Sequence, residues 1–327
     1  MKDSQYCPPF PLGNGHVQTI YPVLFRKAPF LVYTRERITT PDNDFLDLDW
    51  SRLDGSTLDG STKAGQRLAI ISHGLEGNTT RNYVRGMVRA VNDGGWDCLA
   101  WNYRSCSGEP NRQLRSYHNG ATDDLALVID HAKKKGKYQE IALVGFSLGG
   151  NLTLVHLGRD LVDPLVKKAV VFSVPCDLAA SARALERPSN AFYMKRFLVM
   201  LHQKIKEKMA IMPHALDDRG YEKIKTFREF DDRYTAPIHG FKDARDYWEK
   251  CSSRKFIPHI KVPCLIINAL NDPFLPLECF PVAEANATPN ITLKMPKSGG
   301  HVGFVSFNKR DLYWSEQQTI SFLNRPL

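Results

Sequence analysis

The sequence predicts an α/β protein with a mostly parallel central sheet, flanking helices and a helical cap inserted into it. Three observations predict this. Short unbroken apolar runs alternate with helical stretches along the chain, the pattern of a parallel sheet covered on both faces. Several of these runs end in turns rich in glycine, serine, histidine and asparagine. One long segment, about 178–240, interrupts the alternation and contains no such run.

The first thirty residues are rich in proline and glycine and are expected to wrap over a larger body. Leu31 to Ile38 and Phe45 to Trp50 read as strands, the second only partly alternating because Asp47 and Asp49 separate its apolar residues. Asp54 to Gly65 carries turn residues and reads as an exposed loop. From Leu68 onward the runs Leu68 to Ile71, Cys98 to Trp101, Ile141 to Val144 and Ala169 to Phe172 are strands. Helices are expected near Thr80 to Asn92, Ala121 to Lys135 and Leu148 to Leu157. In the interrupting segment, Met194, Leu198, Leu201, Ile205 and Met209 recur at helical spacing, which predicts a helix over Ala191 to Met212. Pro263 to Ile267 resumes the sheet, Ile291 to Lys294 is the last strand, and Leu312 to Leu323 is a closing helix. The whole chain, 1–327, thus reads as one α/β domain with a cap at 178–240.

Composition narrows the function. Hydrophobic residues make up 43% and charged residues 24%, as in ordinary globular proteins. No apolar run approaches the roughly 18 residues of a membrane span. The net charge of +9 is scattered except at Lys133 to Lys135 and Lys204 to Lys208, so nucleic-acid binding is not expected. The seven cysteines form no CxxC pair and show no zinc signature. Reduced thiols in a cytoplasmic protein are the simplest expectation. The N-terminus lacks the charged-then-apolar shape of a signal peptide.

The chemistry concentrates at strand ends. Gly145-Phe146-Ser147-Leu148-Gly149 lies between an expected strand and an expected helix. There a sharp turn projects the hydroxyl above the sheet, and glycines leave room for the turn. A serine needs a base, and His301 sits in the glycine-rich loop Gly299 to Gly303 after the last strand. The imidazole in turn needs an acid to fix its tautomer. Asp272, directly after the strand around Leu265 to Asn268, is favoured, with Asp177 the competing candidate. His73-Gly74-Leu75-Glu76-Gly77 follows the strand Leu68 to Ile71, where such a site draws one backbone N–H of an oxyanion hole. Leu75 and Leu148 are the expected donors.

These motifs, with Gly13-Asn14-Gly15-His16-Val17-Gln18-Thr19, Asn102-Tyr103-Arg104 and Asn268 to Phe274, resemble the YheT-like branch of the α/β-hydrolase superfamily, which also contains ABHD-type esterases. The likeness spans almost the whole chain. It implies an α/β-hydrolase fold and a Ser–Asp–His mechanism, carried here by Ser147, Asp272 and His301. It also implies short- to medium-chain ester hydrolysis or acyl transfer. The chain departs from the pattern at Arg104 to Gly108, where relatives often have a more glycine-rich loop.

The expected function is hydrolysis of carboxylic esters with an apolar acyl group, through an acyl-enzyme and without metal or organic cofactor. Transfer to an alcohol acceptor, and a hydrolase-like binding protein without turnover, remain alternatives. Met194 and Met200 are candidates for the acyl pocket, since flexible thioethers suit an irregular apolar cavity. Lys204, Lys206 and Lys208 are expected on the solvated face of the cap helix, where they could also touch an anionic membrane surface.

Overall fold

The computed structural model describes residues 6–27, 30–53 and 66–326. The loop expected at 54–65 lies outside the described residues. Eight strands form one sheet: β1 (Thr34–Thr39), β2 (Phe45–Ser51), β3 (Arg67–Ser72), β4 (Asp97–Asn102), β5 (Glu140–Phe146), β6 (Val166–Phe172), β7 (Cys264–Ile267) and β8 (Ile291–Lys294). Their order is β1-β2-β4-β3-β5-β6-β7-β8. Strand β2 runs antiparallel to both neighbours, and every other adjacent pair is parallel. From Leu68 onward each expected strand is present, with ends within three residues of expectation. The first strand starts later than expected, at Thr34 rather than Leu31.

The apolar runs are continuous because both sheet faces are buried. Along β3, Leu68 and Ile70 pack on one side, while Ala69 and Ile71 pack on the other. The partial alternation of β2 has the same cause. All seven of its residues are buried, and its two aspartates are neutralised from β1. Arg37 grips Asp47 with two bonds of 2.7 and 2.8 Å, and Arg35 grips Asp49 with two of 2.8 Å.

Six helices matter most for the site: α1 (Gly15–Phe25), α2 (Asn82–Asp93), α3 (Thr122–Lys134), α4 (Leu148–Arg159), α5 (Leu178–Leu185) and α6 (Ala191–Ile211). Helix α1 lies in the segment where the sequence suggests only a proline- and glycine-rich wrap. Asn14 starts it by accepting from the amides of His16 and Val17 at 2.9 and 3.2 Å, an N-cap that satisfies otherwise orphaned donors. Between β6 and β7 there is no strand among the described residues. Helical structure there continues past 240, through the helix Ala244–Cys251 and the shorter helical segment Ser253–His259. Leu198, Leu201 and Ile205 of α6 pack with Tyr221, Phe230 and, from the loop after β7, Phe274.

The chain passes from β3 to β4 on one side and then to β5 on the other. Loops leaving β3 and β5 therefore diverge at the carboxyl edge, where open α/β sheets form a crevice. The wall beyond β4 is set by one buried cation. Arg104 holds Asp124 with two bonds of 2.8 and 2.9 Å, Asp42 at 2.8 Å and Asp44 at 3.3 Å. Removing one partner of such a buried cluster strands the others without compensation. Arg104→Met is expected to lower unfolding stability by about 3–5 kcal/mol, measured by urea denaturation.

Candidate active site

Ser147 sits at the turn from β5 into α4 with φ 52° and ψ −116°. This left-handed conformation is costly for a residue with a Cβ. Neighbours hold it there. The Ser147 amide donates to the Phe172 carbonyl at 2.8 Å, and its carbonyl accepts from the Asn151 amide at 3.0 Å. The turn is so tight that a Cβ on Gly149 would stand 2.4 Å from the carbonyl oxygens of Ser72 and His73.

The Ser147 hydroxyl lies 2.9 Å from His301 Nε2. On the other side of the ring, His301 Nδ1 lies 2.8 Å from Asp272 Oδ2 and 3.2 Å from Oδ1. An ionised carboxylate only accepts, so Nδ1 carries the proton and Nε2 is left to accept from the hydroxyl. The Asp272 side chain is fully buried, and its Oδ1 also accepts from the Phe274 amide at 2.9 Å. Asp177, the competing acid, instead caps α5 by accepting from the Ala180 amide at 2.8 Å. The structure thus brings Ser147, His301 and Asp272 together and gives Asp177 another task.

Several residues that position the site are not evident from strand-end motifs. Thr19 of α1 accepts from the His301 amide at 2.9 Å through its hydroxyl. Ser173, after β6, does the same for Val302 at 2.9 Å. Asn268 braces the loop after β7: Oδ1 accepts from the Val174 amide at 2.8 Å, and Nδ2 donates to the Val174 and Cys279 carbonyls at 3.0 and 3.1 Å. Helix α1 approaches this region so closely that a Cβ on Gly15 would lie 1.9 Å from the Asn271 carbonyl oxygen. The motif Gly13 to Thr19 was the available signal, but its role needs the tertiary contact.

The loop after β3 faces the serine: a Cβ on Gly74 would stand 3.3 Å from the Ser147 Cβ. Leu75 and Leu148 line the same cavity as Ser147 and His301. Among the described residues, no acceptor takes either backbone N–H. His73 shapes this loop. Its Nδ1 donates to the Gly74 carbonyl at 2.8 Å, and its Nε2 accepts from the Tyr103 amide at 3.2 Å. Burial pushes its pKa down to about 3, so it stays neutral. Glu76, at φ 53°, is held by Tyr117, which accepts from its amide at 3.0 Å and donates to its carboxylate at 2.5 Å. Burial pushes the Glu76 carboxyl upward.

The cavity above Ser147 has a volume of about 170 Å³. Its walls are largely apolar, with Leu185, Phe197, Leu201, Phe227 and Phe274 prominent. The expected methionines are not part of it. Met194 is buried in the core of the cap, and neither Met194 nor Met200 lines the cavity. On α6 the cavity side carries Phe197, Leu201 and Ile205. Met194 shares that side of the helix but lies nearer its N-terminus, in the cap core, whereas Met200 lies around the helix from it. The cap lysines also need correction. Lys206 is exposed, but Lys204 and Lys208 point inward and line the cavity. Lys204 donates to the Ser105 carbonyl and approaches Glu76 at 3.8 Å. Lys208 is buried and donates to the Asn111 and Gln113 carbonyls. These two ammonium groups fasten the cap to the body and are not available to a membrane surface.

Comparison with known proteins gives the family and the fold. The family model described as the alpha/beta hydrolase fold matches residues 70–307. YheT of Escherichia coli (strain K12), which bears a provisional esterase name, is 34% identical over 304 residues, covering 92% of this chain and 87% of its own. Phospholipase ABHD3 of Mus musculus is 29% identical, covering 92% and 73%. The monoacylglycerol lipase of Saccharomyces cerevisiae is 27% identical, covering 72% and 54%. Among solved structures, the Pyrococcus furiosus esterase Pf2001 superposes with a TM-score of 0.58 at 16% identity, covering 90% and 92%. That likeness is one of fold.

His73 makes stability depend on pH. A histidine of ordinary pKa 6.5 in the unfolded chain gains its proton long before the folded one, at about 3. The contribution is complete above pH 6.5 and is lost as pH falls toward 3, at about 1.4 kcal/mol per pH unit. Urea unfolding at pH 7 and pH 5 is expected to show a smaller acid loss in His73→Gln than in the parent. Equal losses would contradict this account.

Proposed function

Because the chain belongs to the YheT-like branch of the α/β-hydrolase family, we propose that it is a serine hydrolase of carboxylic esters with a short- to medium-chain apolar acyl group. One observation carries the reading: an unbroken relay from Ser147 through His301 to a buried Asp272, at 2.9 and 2.8 Å, opening into a mainly apolar cavity. The names of the relatives (esterase, phospholipase, monoacylglycerol lipase) support the same reaction type.

In this mechanism Ser147 attacks the ester carbonyl while His301 Nε2 takes its proton. The imidazolium that forms is stabilised by Asp272, which also prevents the ring from choosing the wrong tautomer. Negative charge develops on the carbonyl oxygen, and the Leu75 and Leu148 amides receive it, each worth about a hundred- to a thousandfold in turnover. The N-terminus of α4 adds a favourable field. The alcohol leaves with the proton from His301, giving an acyl-enzyme that water then attacks by the same steps. The acyl group lies against Phe197, Leu201 and Phe274. A cavity of about 170 Å³ is similar in size to the roughly 150 Å³ cavity that admits benzene, which suits an acyl chain of about six carbons.

With p-nitrophenyl esters from acetate to laurate, kcat/KM is expected to peak at medium length and to vanish in Ser147→Ala. A fluorophosphonate is expected to label Ser147 in the parent. Asp272→Asn is expected to keep the fold but lose about 10⁴-fold in kcat. Full activity in Ser147→Ala would overturn the proposal.

A further inference from the structure

Helix α1 has two faces with different fates. Its inner face serves the loops of the site: Gly15, Gln18 and Pro22 are buried, and Thr19 holds the His301 amide. Its outer face leaves Val17, Val23, Leu24 and Phe25 in solvent, the last two 67% and 66% exposed. The Tyr21 ring stands 5.1 Å from Phe25 and 6.0 Å from Phe307, so the patch continues onto the loop that precedes the C-terminal helix. Phe10 and Phe30, also exposed, flank the helix in sequence. Of the fourteen large apolar side chains exposed among the described residues, seven lie between Phe10 and Val32. Singly scattered apolar residues are normal on a surface, but such a concentration on one short segment, four of the seven on α1 itself, marks an interface.

The charges beside the patch have one dominant sign. Residues 6–33 contain Arg26 and Lys27 and no acidic residue. Arg26 is consumed by a buried pair with Glu316 at 2.6 Å, but Lys27 is exposed, as are Lys309 and Arg310 two and three positions after Phe307. The nearby acid, Asp311, faces Arg89 at 4.0 Å. Helix α1 itself carries no Lys or Arg, but its apolar tips together with the cations that follow it and those of the neighbouring loop make up the kind of surface that sits in a lipid interface. A two-fold contact with a second copy would instead bring these cations toward their own equivalents, since an isologous interface pairs a surface with itself. No helix among the described residues is long and apolar enough to cross a membrane.

We propose that the outer face of α1, with Phe25, Leu24 and Phe307 at its centre and Lys27, Lys309 and Arg310 around it, docks the protein on the surface of an anionic lipid bilayer. The apolar tips enter the headgroup boundary, and the cations meet anionic headgroups. The buried face of the same helix keeps its bonds to the His301 loop, so the site lies directly behind the docked surface. The inference does not depend on turnover, because it concerns where the protein sits and not what Ser147 does.

Vesicle co-sedimentation tests it, with phosphatidylcholine alone and with phosphatidylcholine mixed with phosphatidylglycerol. The parent is expected to sediment with the mixed vesicles and to be released by salt, which screens surface charge. Leu24→Gln/Phe25→Gln is expected to weaken that partition by about tenfold or more, with an unchanged thermal midpoint because both side chains already face solvent. Lys309→Glu/Arg310→Glu is expected to reduce binding to the mixed vesicles alone. The proposal is overturned by failure of the parent to bind the mixed vesicles, or by binding that neither double variant reduces. It is equally overturned if light scattering shows a dimer that Leu24→Gln/Phe25→Gln disperses, since the patch would then belong to a second copy.

Discussion

The constraint on which the rest depends is the backbone of Ser147, held at φ 52° between a strand and a helix. A left-handed conformation at a residue with a side chain costs about 1–3 kcal/mol and persists only where the surroundings over-determine it. Here they do. The amide is fixed to β6, the carbonyl to α4, and the carbonyl oxygens of Ser72 and His73 press against the turn at Gly149. Relaxing the turn would break contacts with two neighbouring strand ends together. The hydroxyl is thereby aimed out of the sheet at a fixed point, and every other functional group is placed relative to it.

The strand order makes that placement possible. Because β3 lies between β4 and β5, the loop that offers Leu75 and the turn that carries Ser147 emerge side by side. The acid and the base come from the far edge, after β7 and β8, and reach the serine only because those loops are pinned. Asn268 closes the first onto the end of β6, while Ser173 and Thr19 hold the second. Thr19 belongs to a helix nearly three hundred residues away in sequence. The N-terminal segment is thus a structural part of the site and not a peripheral wrap.

The cap is fastened by polar contacts as well as by its apolar cluster. Lys204 and Lys208 each extend from α6 to carbonyl oxygens of the loop that follows β4. Burial makes Lys208 easier to deprotonate, with a pKa of about 8, so its carbonyl partners and the nearby Asp44 matter for keeping it charged. Lys204 also approaches Glu76, the residue next to Leu75. The cap helix and the loop after β3 therefore share a contact, and a displaced cap would remove a neighbour from that loop.

The α/β class, the strands from Leu68 onward and the identities of serine, histidine and favoured acid were legible in the sequence. Each rests on local physics: buried parallel strands must be apolar throughout, and sharp turns at strand ends demand small residues. What was not legible is what depends on direction around a helix or on contacts distant in sequence. A period of three to four residues marks α6 as amphipathic, but it does not say which face looks into the cavity. Met200 accordingly gave way to Phe197, Leu201 and Ile205, and two lysines expected in solvent turned inward. Met194 shares the face of Leu201 and Ile205 but lies nearer the N-terminus of α6, where the cap core and not the cavity surrounds it. Helix α1 was hidden because Pro22 and its glycine-rich start oppose a helix locally, whereas its capping by Asn14 and its packing against the His301 loop favour one. Asp272 and Asp177 both follow strands, and only the fold decides which carboxylate meets the imidazole, because proximity between residues 272 and 301 is created by the sheet and not by the chain.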